Sequence, residues 1–585
     1  MKTFLQSLFI TCITIFTISC NENTEKQNST TINHETLSKV EGGRYSGGIL
    51  KINSTSKITS LFPASISDVY SQHVSSQIFE GLLKYNQKTL EVEPCIAESY
   101  TINEINTIYT FKLRENIFFH NNKCFEDGKG RKVTATDFKN VFEFLCSKDE
   151  LNKSGYLISE HIKGSQEFAE GKTNDLEGVR VINDNTFELE LNEPFSGITN
   201  ILALTQTSVF PQEALDLYKS DISNNPVGSG PYQLETNGEQ IILIKNNSYW
   251  KKDEYGNQLP YISKIKINFE GNKTKELANF NDGKIDFVWG VPVEEIPNVM
   301  GTLDEAREGK NREFILQSIN SLQTQYYGFN LNNEIFNNKK LRQAFNYAIN
   351  KDSIVNNILQ GEGTASINGI IPKMKNYQNE KIKGYEYNPE KAKRLLKEAG
   401  YPDGKGLPII ELPISKKGQI NELMAQNLKK YFKNILNIDL KLVDTDSREI
   451  NTLREDGKID FWRFGWIADY PDPSNFIAQF HSKYIIEGQE KSYNYARYSN
   501  PEFDSYLDKA MYETNEEKRM DFYLKAEQIL IDDAVIIPLY YASEIRLISP
   551  QLKNFPINEI EFRDFSVCYF TPKVVGKKVR VYDNL

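Results

Sequence analysis

Hydrophobic and polar positions follow two periods along most of the chain, one typical of strands and one typical of amphipathic helices. Alternation over 107–113 predicts a strand, and two further strands flank a turn within 179–191. A helix is predicted over 134–145, because Thr134 and Asp137 have the spacing of a capping box. The remaining predicted elements are strands at 49–52, 232–234 and 241–245 and an amphipathic helix over 69–83. This mixture indicates a multidomain α/β chain.

One six-residue segment occurs twice. Residues 282–287 and 456–461 both read Asp-Gly-Lys-Ile-Asp-Phe, and each copy follows a predicted helix. The glycine stands where a helix ends and a strand is about to begin, which predicts two α/β lobes built alike. Ligands of open α/β sheets gather beyond the carboxyl ends of strands, where Trp289 follows the first copy and 462–470 the second. Both stretches are candidates for a binding site, although packing in a core would also explain the tryptophans.

The N-terminus has the pattern of a secretory signal. A basic residue precedes an apolar stretch over 4–18, which is short for a membrane-spanning helix. Residues 17–20 read Thr-Ile-Ser-Cys and resemble the bacterial lipobox, in which the cysteine becomes the first mature residue and carries lipid. We therefore expect a lipoprotein signal peptide over 1–20, lipidation at Cys20 and a polar, flexible tether over 21–43. A plain signal peptide with cleavage nearby is the alternative.

Composition and charge exclude several classes of protein. The chain has 585 residues with 69 basic and 79 acidic side chains, a formal net charge of −10, and no basic block that would favour nucleic acid. At this length we expect three or four domains. The histidines lack metal-ligand spacing, and no GxSxG or HExxH motif of a hydrolase occurs, so we expect no catalytic residue, metal or cofactor. One disulfide would suit an oxidising compartment, but the spacing does not select a pair among Cys95, Cys124, Cys146 and Cys568.

Short motifs in a fixed order resemble one known family. They are Ile-Phe-Glu-Gly-Leu-Leu at 78–83, Tyr-Thr-Phe-Lys-Leu-Arg at 109–114, Asn-Pro-Val-Gly-Ser-Gly-Pro-Tyr at 225–232, Leu-Arg-Gln-Ala-Phe-Asn-Tyr-Ala-Ile at 341–349 and Ile-Pro-Leu-Tyr-Tyr at 537–541. From about residue 47 onward the chain resembles the bacterial extracytoplasmic solute-binding proteins of peptide and nickel ABC importers, of the periplasmic oligopeptide-binding type. The resemblance implies a two-lobed α/β periplasmic-binding-protein fold (type II, cluster C-like) with an extra inserted domain.

The same resemblance implies how the chain is divided into domains. Domain I would be a discontinuous lobe, domain II an insert within it, and domain III the opposing lobe. The chain would cross between the lobes near 326–328 and 538–542. The implied boundaries are 44–65, 178–318 and 536–585 for domain I, 66–177 for domain II and 319–535 for domain III.

The resemblance also implies ligand-binding residues. Residues 466–470 are similar to the Trp-x-Ala-Asp-Tyr of oligopeptide binders, whose aspartate holds the ligand ammonium, so Asp469 is the first candidate. Aspartate also commonly caps a turn, which is the alternative. Arg463 matches an arginine near the ligand carboxylate and lies at most about 20 Å from Asp469 at about 3.3 Å per residue, less with a bend expected at Gly465. The further candidates are Trp466, Ala468, Tyr540, Tyr541, Trp289 and Lys416.

Taken together, the resemblance implies a non-enzymatic receptor on the outer side of a membrane. It would be a monomer, anchored through lipid at Cys20, that captures short peptides between two lobes and delivers them to the permease of an ABC importer. An oligosaccharide or another small solute in the same site is the alternative within the family. A secreted hydrolase or an interaction lipoprotein is the alternative from a different class.

Overall fold

A computed structural model describes residues 36–299, 314–415, 419–485 and 492–573. The expected signal peptide and Cys20 lie outside these residues. The described end of the expected tether 21–43 is not free, because strand β1 (Ser38–Lys39) pairs antiparallel with β2 (Tyr45–Ser46). Leu37 packs against the main hydrophobic core. The expectation of a tether up to residue 43 is therefore wrong for this part.

Every strand that alternation predicts is present. The hairpin within 179–191 forms two strands, and the strand expected at 107–113 begins one residue later. After β1 and β2 the strands are β3 (Ile49–Ser54), β4 (Leu83–Tyr85), β5 (Val92–Pro94), β6 (Ala97–Ile102), β7 (Ile108–Leu113), β8 (Val179–Asn183), β9 (Thr186–Glu190), β10 (Tyr232–Asn237), β11 (Ile241–Lys245), β12 (Lys264–Phe269), β13 (Phe287–Trp289), β14 (Ile315–Phe329), β15 (Thr364–Ala365), β16 (Ile410–Ile414), β17 (Leu440–Asp444), β18 (Phe461–Ile467), β19 (Ile536–Ile548), β20 (Leu552–Lys553) and β21 (Tyr569–Phe570).

The helices alternate with these strands. The α-helices are α1 (Val69–Ser75), α2 (Ala135–Cys146), α3 (Ser165–Ala169), α4 (Ile198–Leu202), α5 (Gln212–Tyr218), α6 (Lys273–Asn281), α7 (Lys339–Ala348), α8 (Lys351–Asn357), α9 (Pro389–Glu398), α10 (Gln419–Tyr431), α11 (Ser447–Glu455), α12 (Ser474–Ile477), α13 (Pro501–Tyr512) and α14 (Glu516–Asp532). The capping box predicted before α2 is confirmed, since the Thr134 N–H donates to Asp137 Oδ2 at 2.8 Å. Short 3₁₀ turns join many of the elements.

The helix predicted over 69–83 is wrong in its second half. Helix α1 covers only Val69–Ser75, and strand β4 already begins at Leu83. Between them the carbonyl of Ile78 accepts a hydrogen bond from the Gly230 N–H at 2.8 Å. This bond to a distant part of the chain replaces a helical one, and periodicity alone cannot reveal it.

Two four-stranded sheets form much of one half of the molecule. One has the order β10-β11-β12-β3, with β12 parallel to β3, and the other has the antiparallel order β6-β7-β9-β8. The second sheet takes β6 and β7 from the expected insert 66–177 and takes β8 and β9 from beyond it. A domain boundary at 177 would divide this sheet. We therefore propose that the insert extends to the end of β9 at Glu190, and the other boundaries stay predictions.

Two long strands connect the halves of the molecule. Strands β14 and β19 pair antiparallel over most of their length, and their register shifts between Asn320 and Thr324. The order of their sheet is β13-β19-β14-β18, and β15 also pairs with β19. Strand β13 pairs with the C-terminal end of β19, whereas β18 pairs with the C-terminal part of β14, so these short strands flank opposite ends of the crossing pair.

The repeated segment occupies the corresponding position at each end of this sheet. One copy joins α6 to β13 and the other joins α11 to β18. The predicted glycines are confirmed, because Gly283 and Gly457 have φ values of 69° and 67°, which suit glycine. In the second copy Phe461 is fully buried, and its ring lies 5.2 Å from that of Phe329. This packing holds the start of β18 in the core.

The cysteines carry no cross-link in the structure. Cys95, Cys124, Cys146 and Cys568 are free thiols, and all but Cys124 are buried. Within the described ranges, no group of three or more histidine, cysteine, aspartate or glutamate side chains is arranged to hold a metal ion. A search of the same ranges finds no helix with the length and apolar character needed to cross a membrane.

Candidate functional site

Strand β18 lies at one edge of the sheet that contains the crossing strands. It pairs with β14 from Phe461 to Ile467 without a shift in register, so the bend expected at Gly465 is absent. No strand among the described residues pairs with its other edge. Hydrogen-bonding groups point alternately to the two sides of a strand, and the Ala468 N–H donates to Leu322 on the β14 side. The backbone groups of Gly465 and Ile467 therefore face away from β14.

Asp469 is the second residue after this strand. Asn475 holds it in place, because the amide oxygen accepts from the Asp469 N–H at 3.1 Å and from Trp466 Nε1 at 2.9 Å. The Asp469 side chain is half-buried, and burial raises the pKa of its carboxyl to about 6, with a hydrogen bond from Asn475 acting in the opposite direction. Among the described residues no basic side chain forms an ion pair with this carboxylate.

A different aspartate holds the turn that follows. Asp472 Oδ1 accepts the Ser474 N–H at 2.9 Å, and its other oxygen pairs with Arg519. Asp472 is also almost completely buried. The hydrogen bonds expected of a turn cap thus belong to Asp472, while Asp469 borders the neighbouring cavity.

That cavity has a volume of about 320 Å³. One wall comes from Trp466 near the end of β18, from the chain after β18 up to Tyr484, from Tyr493 and Tyr495, and from Met511 on α13. The opposite wall comes from residues 156–161 and from the region of α4, which are distant in sequence. Side chains of tyrosine, phenylalanine or tryptophan line both walls. They belong to Tyr156, Phe195, Trp466, Tyr470, Tyr484, Tyr493 and Tyr495.

An ion pair joins the two walls. Lys483 Nζ lies 3.1 Å from Glu160 Oε2, and the Tyr484 hydroxyl donates to the other oxygen of Glu160 at 3.2 Å. The imidazole of His161 stacks on the ring of Phe195 with 3.8 Å between their centroids, and burial lowers the pKa of His161 to about 4. The Glu160 carboxylate therefore already has a cation, unlike that of Asp469.

Arg463 does not share a cavity with Asp469. Side chains alternate along a strand, so Arg463 lies on the opposite face of β18 from Trp466. Its guanidinium donates to Gln325 at 2.6 Å and to the Tyr540 hydroxyl at 3.3 Å. Arg463 borders a second cavity of about 170 Å³. Its buried Nε has no hydrogen-bond partner.

The remaining candidate residues lie in varied surroundings. Ala468 is buried between Asp469 and the strand. Tyr541 is buried, and its hydroxyl donates to the backbone carbonyl of Gly369 at 3.0 Å. It borders neither of the two cavities. Trp289 donates from Nε1 to Glu544 at the far end of the sheet. Lys416 lies outside the described residues.

The sequence did not reveal the wall that faces Asp469. Tyr156, Glu160 and His161 precede Asp469 by some three hundred positions, and no motif links the two segments. Tyrosine is also abundant throughout the chain, with 31 residues, so composition alone does not distinguish the segments that form this wall from the rest of the sequence. Only the tertiary fold brings these groups together.

Long strands that cross between two halves, with a cavity between distant walls, define the class of two-lobed solute-binding proteins. A family profile described as bacterial extracellular solute-binding proteins, family 5 middle, matches residues 91–488. The chain belongs to this family, the solute-binding family of peptide and nickel ABC importers. The resemblance inferred from its motifs is confirmed.

Individual relatives agree with this assignment. The chain is 30% identical over 520 residues to the periplasmic oligopeptide-binding protein OppA of Escherichia coli (strain K12), covering 86% of this chain and 89% of that protein. It is 29% identical over 504 residues to heme-binding protein A of Haemophilus influenzae, covering 84% and 87%. A solved structure of the ABC transporter-associated periplasmic binding protein DppA from Helicobacter pylori, in complex with peptide STSA, matches with a TM-score of 0.75 at 24% identity, covering 90% and 98%. This likeness confirms the predicted two-lobed α/β fold.

Proposed function

We propose that this protein is a receptor that captures short peptides between its two lobes for an ABC importer. The observation that carries the proposal is the Asp469 carboxylate, which borders a cavity between distant walls and has no cationic partner among the described residues. A peptide ammonium would supply the missing positive charge through a charge-assisted hydrogen bond. The names of OppA and of the peptide-bound DppA support the same class of ligand.

The free edge of β18 would bind the peptide backbone. Peptides commonly add a strand to an exposed sheet edge, because main-chain groups provide affinity without reading the sequence. The outward groups of Gly465 and Ile467 lie next to Asp469, where the first residues of such a peptide would run.

Arg463 would attract the carboxylate end of the peptide. No acidic side chain among the described residues forms an ion pair with it, and one guanidinium nitrogen is unpartnered. Six residue steps of about 3.3 Å separate it from Asp469, which suits an extended peptide of about five residues. Because Arg463 projects from the other face of the strand, it would have to turn toward the edge. Its role is therefore tested separately from that of Asp469.

A neutral oligosaccharide suits the cavity less well than a peptide. The aromatic rings could stack on sugars, but a sugar would leave the Asp469 carboxylate without a counter-charge in a half-buried site. Mass spectrometry of the small molecules released on denaturing the purified protein separates these ligands. A series of short peptides is expected. A single sugar or a haem would refute the proposal.

The role of Asp469 is tested with the variant Asp469→Asn, which keeps the size of the side chain and removes its charge. Truncating one partner of a buried charge pair costs about 2 to 5 kcal/mol, so calorimetry with a released peptide should show at least about thirtyfold weaker binding. Asp460→Asn is the matched control, because Asp460 is exposed just before β18. Equal affinity in both variants would remove Asp469 from the site.

We also propose that lipid on Cys20 anchors the protein to a membrane. The support is the lipobox-like pattern at 17–20, which lies outside the described residues. The full chain should sediment with membranes, and the Cys20→Ser variant should appear in the soluble fraction. If both forms sediment equally, the lipid is not the anchor.

A further inference from the structure

Much of the wall surface of the cavity beside Asp469 is apolar. Leu157, Phe195 and Ile201 line one side and Ala478 and Met511 the other. Four of these five side chains are buried, and Ala478 is partly exposed. A ligand group that enters this space therefore meets hydrocarbon and ring surface.

Two polar side chains of the same walls, Glu160 and Gln479, are already paired within the protein. Glu160 is bound by Lys483 and Tyr484. Gln479 accepts from the Tyr326 hydroxyl at 3.3 Å and donates to a backbone carbonyl at 3.0 Å. A polar ligand side chain that goes past the mouth would therefore lose its water and find the Glu160 and Gln479 side chains already occupied.

The size of the cavity limits what it can hold. At about 320 Å³ it lies at the small end of the range of roughly 300 to 1,000 Å³ for ligand sites. That volume accommodates an ammonium group and one large side chain, but not a whole extended peptide. Tyr156 and Tyr493 are 61% and 65% exposed, so their rings border the mouth from both walls.

We propose that this cavity binds the side chain of the first residue and selects peptides that begin with a large apolar or aromatic residue. The inference rests on the proposed function, in which Asp469 binds the peptide ammonium. The charge of Asp469 positions the first residue, and the neighbouring apolar walls then receive its side chain. Residues further along the peptide would lie on the edge of β18, outside the cavity.

The test compares tripeptides that differ at one position. Calorimetry with Phe-Ala-Ala and Leu-Ala-Ala should give at least about tenfold tighter binding than with Lys-Ala-Ala or Glu-Ala-Ala. The permuted peptide Ala-Phe-Ala should bind like Ala-Ala-Ala. Equal affinity for all first residues, or a preference that follows the second position, overturns the inference and leaves peptide binding intact. Absence of binding to every peptide instead refutes the proposed function.

A second test uses a variant in which a larger side chain from the cavity wall occupies the cavity. Ala478→Phe places a ring in the space, so Phe-Ala-Ala should lose its advantage and bind no better than Ala-Ala-Ala. Ala278→Phe is the matched control, because Ala278 is exposed on α6 and far from the cavity in sequence. Thermal unfolding of both variants establishes that they are folded. If Ala478→Phe keeps the preference of the parent protein, the first side chain binds elsewhere.

Discussion

Acidification should weaken peptide binding through Asp469. Burial raises the pKa of this carboxyl to about 6 in the ligand-free protein, and only the ionised form can pair with an ammonium. The affinity is therefore full above about pH 7 and falls as the pH drops through 6. For a single group with this pKa the ionised fraction falls from about 97% at pH 7.5 to about 9% at pH 5, so the Kd should rise about tenfold.

The assay is calorimetry with one peptide at constant ionic strength, at several pH values between 7.5 and 5. Other groups also change charge in this range, because burial raises the pKa values of Glu362 and Glu527 to about 7. Neither lines the cavity, so their contribution should persist in Asp469→Asn. The Asp460→Asn variant should follow the parent protein. Far-UV circular dichroism at each pH confirms that the protein stays folded.

Two results would refute this reasoning. A parent protein whose Kd is the same at pH 7.5 and pH 5 would mean that no ionised carboxylate is needed for binding. A pH dependence that is equally steep in Asp469→Asn would assign the effect to another group. His161 is not expected to contribute, since its pKa of about 4 keeps it neutral over most of this range.

Two further variants test the surroundings of the site. In Gly465→Ala the new Cβ would overlap the amide of Gln325, which holds Arg463, so we expect a loss of about 1 to 3 kcal/mol of stability in chemical denaturation; an unchanged midpoint would contradict this contact. Lys483→Met removes the ion pair with Glu160 across the cavity. The side chains of Lys483 and Glu160 are each about one-third exposed. Such a pair contributes less than about 1 kcal/mol, so the peptide release rate should rise by no more than about fivefold in stopped-flow measurements. A change confined to the association rate would contradict a role of this pair in closure.

Local signals in the sequence predicted local structure well. The capping box at Thr134, the hairpin within 179–191 and both glycine joints of the repeat appear where the pattern places them. Each depends on interactions between residues a few positions apart, such as a side chain that binds the backbone three residues away. Neighbours in sequence are sufficient to specify such elements.

The candidate site could be predicted only in part. The motif at 466–470 predicted ligand-binding residues, and two of them, Asp469 and Trp466, border a cavity, while their binding role stays a prediction. It also suggested that Arg463 faces the same ligand space, whereas an unbent strand places Arg463 on the other face. The bend expected at Gly465 would have been needed to bring the two groups together, and the continuous pairing with β14 prevents it.

By itself, the sequence determined the family, the strands that alternation predicts, the helix that begins after the capping box at Thr134 and the position of the Asp469 motif. These features depend on short-range patterns of polarity and turn-forming residues. The tertiary structure decided the rest. The first helix ends at Ser75, and the Ile78 carbonyl beyond it accepts a hydrogen bond from the distant Gly230 N–H. Pairing across the crossing strands placed both copies of the repeat in one sheet. The wall formed by 156–161 faces Asp469 only after the chain has folded back over some three hundred residues. No local pattern encodes such contacts, since they arise from the packing of whole elements.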